Sequence, residues 1–157
     1  MHHKKVNLKS ITETLSSIRD MGLTIVFTNG CFDILHPGHV DYLQKAKAMG
    51  DLLIVGINDD ASISRLKGAD RPIHELDDRA TMLAALQCID YVVPFSEDTP
   101  LSLIIDIKPD ILVKGDDYTV EQIAGAKEVI KNGGKVELVP LFKSYSSTDI
   151  INKIKNL

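Results

Sequence analysis

Two histidines three residues apart, His36 and His39, enclose Pro37 and Gly38. On the first turn of a helix that spacing puts both rings on one face. A helix start carries free N–H groups and a partial positive charge, which favour an anion. Pro37 suits the first helical position, because its missing N–H costs nothing there. Gly38 has no side chain to keep a ligand from the backbone, and Gly30 gives the preceding turn the same freedom. Both imidazoles are thus placed to donate to one polyphosphate. The same pair also reads as a helix cap and a surface histidine. A metal reading, with Cys31, His36 and His39 as three ligands, lacks the paired spacing of zinc sites, so no protein metal site is expected.

The elements around this motif decide between those readings. An apolar run, Leu23 to Phe27, precedes it as a strand, and Val40, Leu43 and Ala46 follow at helical spacing. The motif therefore sits where a first strand feeds a first helix, the crevice in which open α/β sheets bind ligands. A basic cluster, Arg65, Lys67, Arg71 and Arg79, follows the second predicted strand in an otherwise acidic chain. Arginine grips phosphate bidentately and lysine acts as a point charge; the plainer reading is a solvated basic face. Lys114, Gly115, Asp116 and Asp117 follow another strand and read as a simple turn or a second edge of the site. Asp33 reads equally as a turn aspartate or a sugar contact. Ser146, Ser147 and Thr148 open the last helix, as an N-cap that can also receive phosphate.

His36-Pro37-Gly38-His39 matches the HxGH signature of the nucleotidyltransferase superfamily. The chain resembles, from Ile25 to about Lys153, the heptose 1-phosphate adenylyltransferases. Carrying the resemblance are Arg65-Leu66-Lys67-Gly68, Arg71-Pro72, Val113-Lys114-Gly115-Asp116-Asp117-Tyr118, Ile123-Ala124-Gly125-Ala126-Lys127-Glu128-Val129, Asn132-Gly133-Gly134 and Ser146-Ser147-Thr148-Asp149-Ile150-Ile151. It implies transfer of an adenylyl group from ATP, with Mg2+, to D-glycero-β-D-manno-heptose 1-phosphate. ADP-heptose and pyrophosphate would result, for lipopolysaccharide core or another heptose-containing glycan. It implies catalytic roles for His36, His39, Arg65 and Lys67. Nucleotide binding would fall to Thr28, Asn29, Gly30, Cys31, Phe32, Gly38, Arg79, Lys114, Gly115, Ser146, Ser147 and Thr148. Sugar-phosphate binding would fall to Asp33, Arg71, Lys114, Asp116 and Asp117. A homodimer is implied by family habit. The activity is often fused to a sugar kinase; at 157 residues this chain has no room for one, so a separate kinase is expected. Related cytidylyltransferases carry Arg-Thr-x-Gly-Ile-Ser-Thr-Thr where this chain has Phe142 to Thr148, and another arginine where it has Gln87. Both departures count against a glycerol-3-phosphate-type cytidylyltransferase. A non-catalytic nucleotide sensor is the alternative from another class, and an oxidoreductase is disfavoured because the first turn lacks G-x-G-x-x-G.

Composition agrees with one ordinary domain: 44% hydrophobic, 25% charged, net charge −4. That charge argues against a nucleic-acid partner. Cys31 and Cys88 make no disulfide framework, and no apolar run reaches membrane-spanning length. No signal peptide is expected, and the expected location is cytoplasmic. His2 and His3 are given no role.

Residues 1–22 are expected to form an N-terminal helix packed on the domain, and 23–157 the nucleotidyltransferase domain. Helices are predicted over Asn7–Arg19, Asp59–Leu66, Asp77–Gln87, from Pro100 to Ile107, over Thr119–Lys131 with a break at Gly125, and over Ser147–Lys155. Further strands are predicted at Leu52–Ile57, Tyr91–Val93, Ile111–Val113 and Val136–Val139. Strands alternating with helices imply an α/β, Rossmann-like single domain: a five-stranded parallel sheet with helices on both faces. The resemblance adds the strand order 3-2-1-4-5. The segment Lys67–Glu75, charged and holding Gly68 and Pro72, is expected to be a lid.

Overall fold

In the computed structural model, residues 2–141 and 145–157 are described. Phe142, Lys143 and Ser144, part of the string that departs from the cytidylyltransferases, lie outside the described residues.

Five strands, β1 (Ile25–Gly30), β2 (Leu52–Asn58), β3 (Tyr91–Phe95), β4 (Ile111–Gly115) and β5 (Lys135–Val139), form one parallel sheet in the order β3-β2-β1-β4-β5. The helices are α1 (Leu8–Asp20), α2 (Pro37–Lys47), α3 (Asp60–Lys67), α4 (Leu76–Ala85), α5 (Leu101–Ile107), α6 (Ala126–Lys131) and α7 (Ser147–Lys155). Strand side chains alternate between faces, and each face has its own core. Val26, Leu53, Val55, Ile57 and Val113 pack with α2 and α4 through Leu43, Ala46, Ala80 and Leu83. Ile25, Phe27, Ile54 and Leu112 pack with α1, α5 and α6 through Ile11, Leu15, Ile104 and Val129. Strands buried on both faces read as continuous apolar runs, which is why they stand out in the sequence.

The N-terminal helix is part of this second core: Ile11 and Leu15 are fully buried. Its cap is Asn7, whose side chain accepts the Ser10 N–H at 2.9 Å. None of the described helices is long and apolar enough to cross a membrane.

Three local predictions shift. β3 runs through Pro94, because β3 is an edge strand and Pro94 spends no ladder donor there. Pro100 is the N-cap of α5 instead of its first residue. The predicted helix over Thr119–Lys131 is a 3-10 turn, Val120–Gln122, and then α6. Gly125 separates them at φ +84°, where a Cβ would lie 2.6 Å from the Ile104 side chain.

Candidate active site

A cleft of about 700 Å³ opens at the carboxyl ends of the strands. That is where the sheet order reverses between β1 and β4, the usual ligand crevice of such folds. The end of β1 and the following turn contribute Asn29, Gly30, Cys31, Phe32 and Asp33, and α2 contributes His36, Gly38 and His39. Lys67 and Arg71 line one side; Lys114, Gly115 and Asp117 line another; Ser146, Ser147 and Thr148 close the third.

His36 is the N-cap of α2, and Pro37 is its first residue. The Nδ1 of His36 accepts the backbone N–H of His39 at 3.3 Å. An accepting Nδ1 carries no proton, so the neutral ring holds its proton on Nε2. The rings of His36 and His39 stack at 3.7 Å between centroids, 22° apart in plane. Tyr145 stacks beyond His36 at 6.0 Å, and Phe32 tilts against His39 at 5.3 Å. Phe32 is held at φ +46°, so the turn carries backbone strain beside the cleft. Burial pushes His39 down to about 4, helped by the adjacent His36 and by Lys67. Burial also lowers His36. Near pH 7 both are neutral N–H donors, not a pair of repelling cations. A Cβ on Gly38 would sit 3.1 Å from His36 Nδ1 and 3.3 Å from the Tyr145 Cβ.

Lys114, at the end of β4, reaches across to β1. Its Nζ donates to the Asn29 side-chain oxygen at 2.8 Å and lies 5.4 Å from the Tyr118 ring centre. Burial pushes its pKa down to about 8, while Asp117 and Cys31 pull the other way. Ser147 ties the start of α7 to the β1–α2 turn by donating to the Ile34 carbonyl at 2.9 Å. Ser146 caps α7 by accepting the Asp149 N–H at 3.3 Å.

Four sequence-named residues stand back from the cleft. Thr28 is fully buried, 2.7 Å from the Tyr42 hydroxyl. Tyr42 spends its one proton on the Val113 carbonyl at 3.0 Å, so Thr28 is the donor to it. Arg79 is also fully buried: it donates to the carbonyls of His74 (2.9 Å), Cys31 (2.7 Å) and Asn58 (2.9 Å) and pairs with Asp60 (2.6 Å). Arg65 is half-exposed and spends its guanidinium on Asp98 (2.8 Å) and the Ser96 carbonyl (2.7 Å). Asp116 accepts the Leu141 N–H at 3.2 Å.

Asn58, Asp98, Thr99 and Pro100 also line the cleft, unforeseen from sequence. Their signal is positional: Asn58 ends β2, and the other three follow β3 at the same sheet edge.

A cytidylyltransferase-like family model matches residues 27–153. The chain belongs to that family. It is 54% identical over 155 residues to the bifunctional protein HldE of Coxiella burnetii, covering 99% of this chain and 33% of that protein. It is 59% identical over 137 residues to HldE of Nitrosococcus oceani, covering 87% of this chain and 29% of that one. The chain thus spans about a third of the length of these relatives. Among solved structures, the lipopolysaccharide core biosynthesis protein of Thermoplasma volcanium aligns with a TM-score of 0.62 at 32% identity, covering 80% of this chain and all of that one. Pantoate-beta-alanine ligase of Francisella tularensis aligns with a TM-score of 0.56 at 20% identity, over 93% of this chain and 76% of that one; this likeness concerns the fold alone.

Proposed function

We propose that this domain transfers the adenylyl group of ATP to D-glycero-β-D-manno-heptose 1-phosphate. An acceptor phosphate oxygen attacks the α-phosphorus of ATP, a new P–O bond forms, and the bond to the bridging α–β oxygen breaks. ADP-heptose and pyrophosphate result. The observation that carries the reading is the stacked, neutral His36–His39 pair on the first turn of α2, lining a cleft together with Lys67, Arg71 and Lys114. The identity to HldE proteins supports the choice of sugar.

The nucleophile needs no activation, since a phosphate monoester has its second pKa at about 6 and is mostly dianionic at neutral pH. The barrier is charge repulsion and alignment, so the residues' task is positioning and charge stabilisation. The start of α2 and the two imidazole N–H groups would hold the α-phosphoryl. Lys67 would meet the leaving phosphates, and Arg65 joins it only by giving up Asp98. Arg71, Lys114 and Asp117 would hold the acceptor, with Asn29, Gly30, Cys31, Phe32, Gly115 and Ser146–Thr148 around the nucleotide. Thr28 and Arg79 support these groups from behind.

The donor set suits a Mg2+ carried chiefly by phosphate oxygens and water. Asp33 and Asp98 are paired, which leaves Asp117 as the cleft-lining carboxylate to reach the ion. When bound, Mg2+ neutralises phosphate charge. The homodimer and the cytoplasmic setting belong to the same proposal. Incubation with ATP, Mg2+ and heptose 1-phosphate, followed by phosphorus NMR, tests it. A diphosphate doublet pair from a nucleotide sugar is expected, and unchanged ATP and sugar phosphate would refute it.

A further inference from the structure

Within the expected lid, Lys67–Glu75, residues 68–75 follow α3 and are fastened to the turn after β1 by a buried carboxylate. The Asp33 side chain is 1% exposed. Its Oδ2 accepts from Arg71 Nε at 2.6 Å and from the Ile73 N–H at 3.0 Å. Its Oδ1 accepts from the Ile73 N–H at 2.8 Å and the His74 N–H at 3.0 Å. An ionised carboxylate offers about four lone-pair directions; three donors meet them, with the Ile73 N–H shared between the two oxygens. Burial alone would raise the pKa of Asp33; the His74 and Ile73 N–H groups and Arg71 outweigh it and hold the group below its ordinary value. Asp33 is therefore ionised, and its side chain is buried and already held by three protein donors.

Arg71 is the opposite case. Its Nε is taken by Asp33, and its carbonyl accepts from the Ser64 hydroxyl at 2.6 Å. Its Nη2 is buried without a hydrogen-bond partner, and the residue lines the cleft. A buried donor left unmet carries a desolvation penalty, which is removed when a ligand accepts from it. An arginine whose plane is fixed from behind by a carboxylate presents its remaining edge in one direction, which suits a tetrahedral oxyanion.

We propose that Asp33 is a positioning residue. It ties Arg71, Ile73 and His74 to the turn after β1 and so aims the Nη2 edge of Arg71 at the phosphate of the acceptor. The proposal rests on the reading above that the acceptor is a phosphate ester, and it assigns Asp33 no contact with the sugar.

A double-mutant cycle on the full chain tests it, with Asp33→Asn, Arg71→Met and the double variant. Asparagine keeps the shape and one acceptor but turns an N–H toward Arg71. Steady-state pyrophosphate release should show the acceptor KM up about tenfold in Asp33→Asn, with kcat within about threefold. In the Arg71→Met background the same change should move KM by less than about twofold, because residues acting through one another are not additive. Amide hydrogen exchange at Ile73 and His74 should accelerate in Asp33→Asn. Equal KM effects in both backgrounds would mean that Asp33 acts on substrate itself and would overturn the proposal; so would unchanged exchange at both amides. If Asp33→Asn does not fold, Arg71→Lys serves, since lysine has one nitrogen and no planar fork, and so cannot keep the Nε contact to Asp33 and a second nitrogen at the Nη2 position. An unchanged acceptor KM there would be equally contrary. If the wild-type chain releases no pyrophosphate, the functional reading has failed, and the same cycle is read by calorimetric titration with inorganic phosphate. Coupled losses of affinity then sustain the positioning role, and independent losses end it.

Discussion

Arg79→Met should damage the fold more than it damages ATP binding. The guanidinium is fully buried and makes four hydrogen bonds, three to carbonyls of different segments and one to Asp60. Methionine replaces much of the stem's packing and none of the donors. The Asp60 side chain is 42% exposed, so water can replace its lost partner. The carbonyls of Cys31, Asn58 and His74 are less well placed, and an unmet buried acceptor costs about 1–3 kcal/mol. Some relaxation toward water leaves a net loss of about 3 kcal/mol. A chain of this size loses about 2–4 °C of melting temperature per kcal/mol, so the melting temperature should fall by about 6–12 °C. Urea unfolding gives the free energy directly, and an unchanged m-value would locate the effect in stability. At a temperature where the variant remains folded, its KM for ATP should rise less than about threefold, a change worth under 0.7 kcal/mol. A stability loss below about 1 kcal/mol, coupled to a large rise in the KM for ATP, would refute the reasoning and put Arg79 back among the ligand contacts.

Other outcomes follow from the same geometry. His39→Ala should lower kcat by about 10²-fold or more while leaving ATP affinity within a few-fold, because its donor acts on charge that develops in transfer; stopped-flow turnover and ATP titration separate the two. His39 should also shape acid stability. The native ring, at about 4, stays neutral where the unfolded ring, at its ordinary 6.5, takes up a proton. The unfolded state then binds more protons, so stability falls as pH drops from about 6.5 to about 4. Urea titrations across that window should show a shallower fall in His39→Gln. Lys114, at about 8, should lose its charge above that pH and weaken acceptor binding there. The acceptor KM should rise from about pH 8 in the wild-type chain but not in Lys114→Arg, each measured against its own optimum. Gly38→Ala should press on His36 and Tyr145 and lower kcat/KM with little change in melting temperature.

What the sequence made legible has a physical pattern. Strands β1, β2 and β4 are buried on both faces, so burial alone writes them as apolar runs. The start of α2 is legible because His36, Pro37 and Gly38 each carry a separate constraint on a helix start. The break at Gly125 is legible because of its glycine, and the 3-10 turn before it opens on a capping box, Thr119 with Gln122. Edge position rather than local propensity lets β3 carry Pro94. The basic cluster divides in a way that residue type cannot foretell. Lys67 and Arg71 line the cleft, Arg65 is spent on Asp98, and Arg79 is internal; sequence proximity put all four near the site without orienting them. Asp33 and Asp116 likewise read as possible ligands, and only the positions of the Ile73, His74 and Leu141 amides show what they hold.

The central claim is adenylyl transfer to a heptose phosphate, and the most direct test crosses two nucleotides with two acceptors. Pyrophosphate release is followed with Mg2+ for ATP and CTP, each paired with heptose 1-phosphate and with glycerol 3-phosphate. The account predicts release with ATP and heptose 1-phosphate alone. Release with CTP and glycerol 3-phosphate, or ATP binding with no release in any pairing, would contradict it.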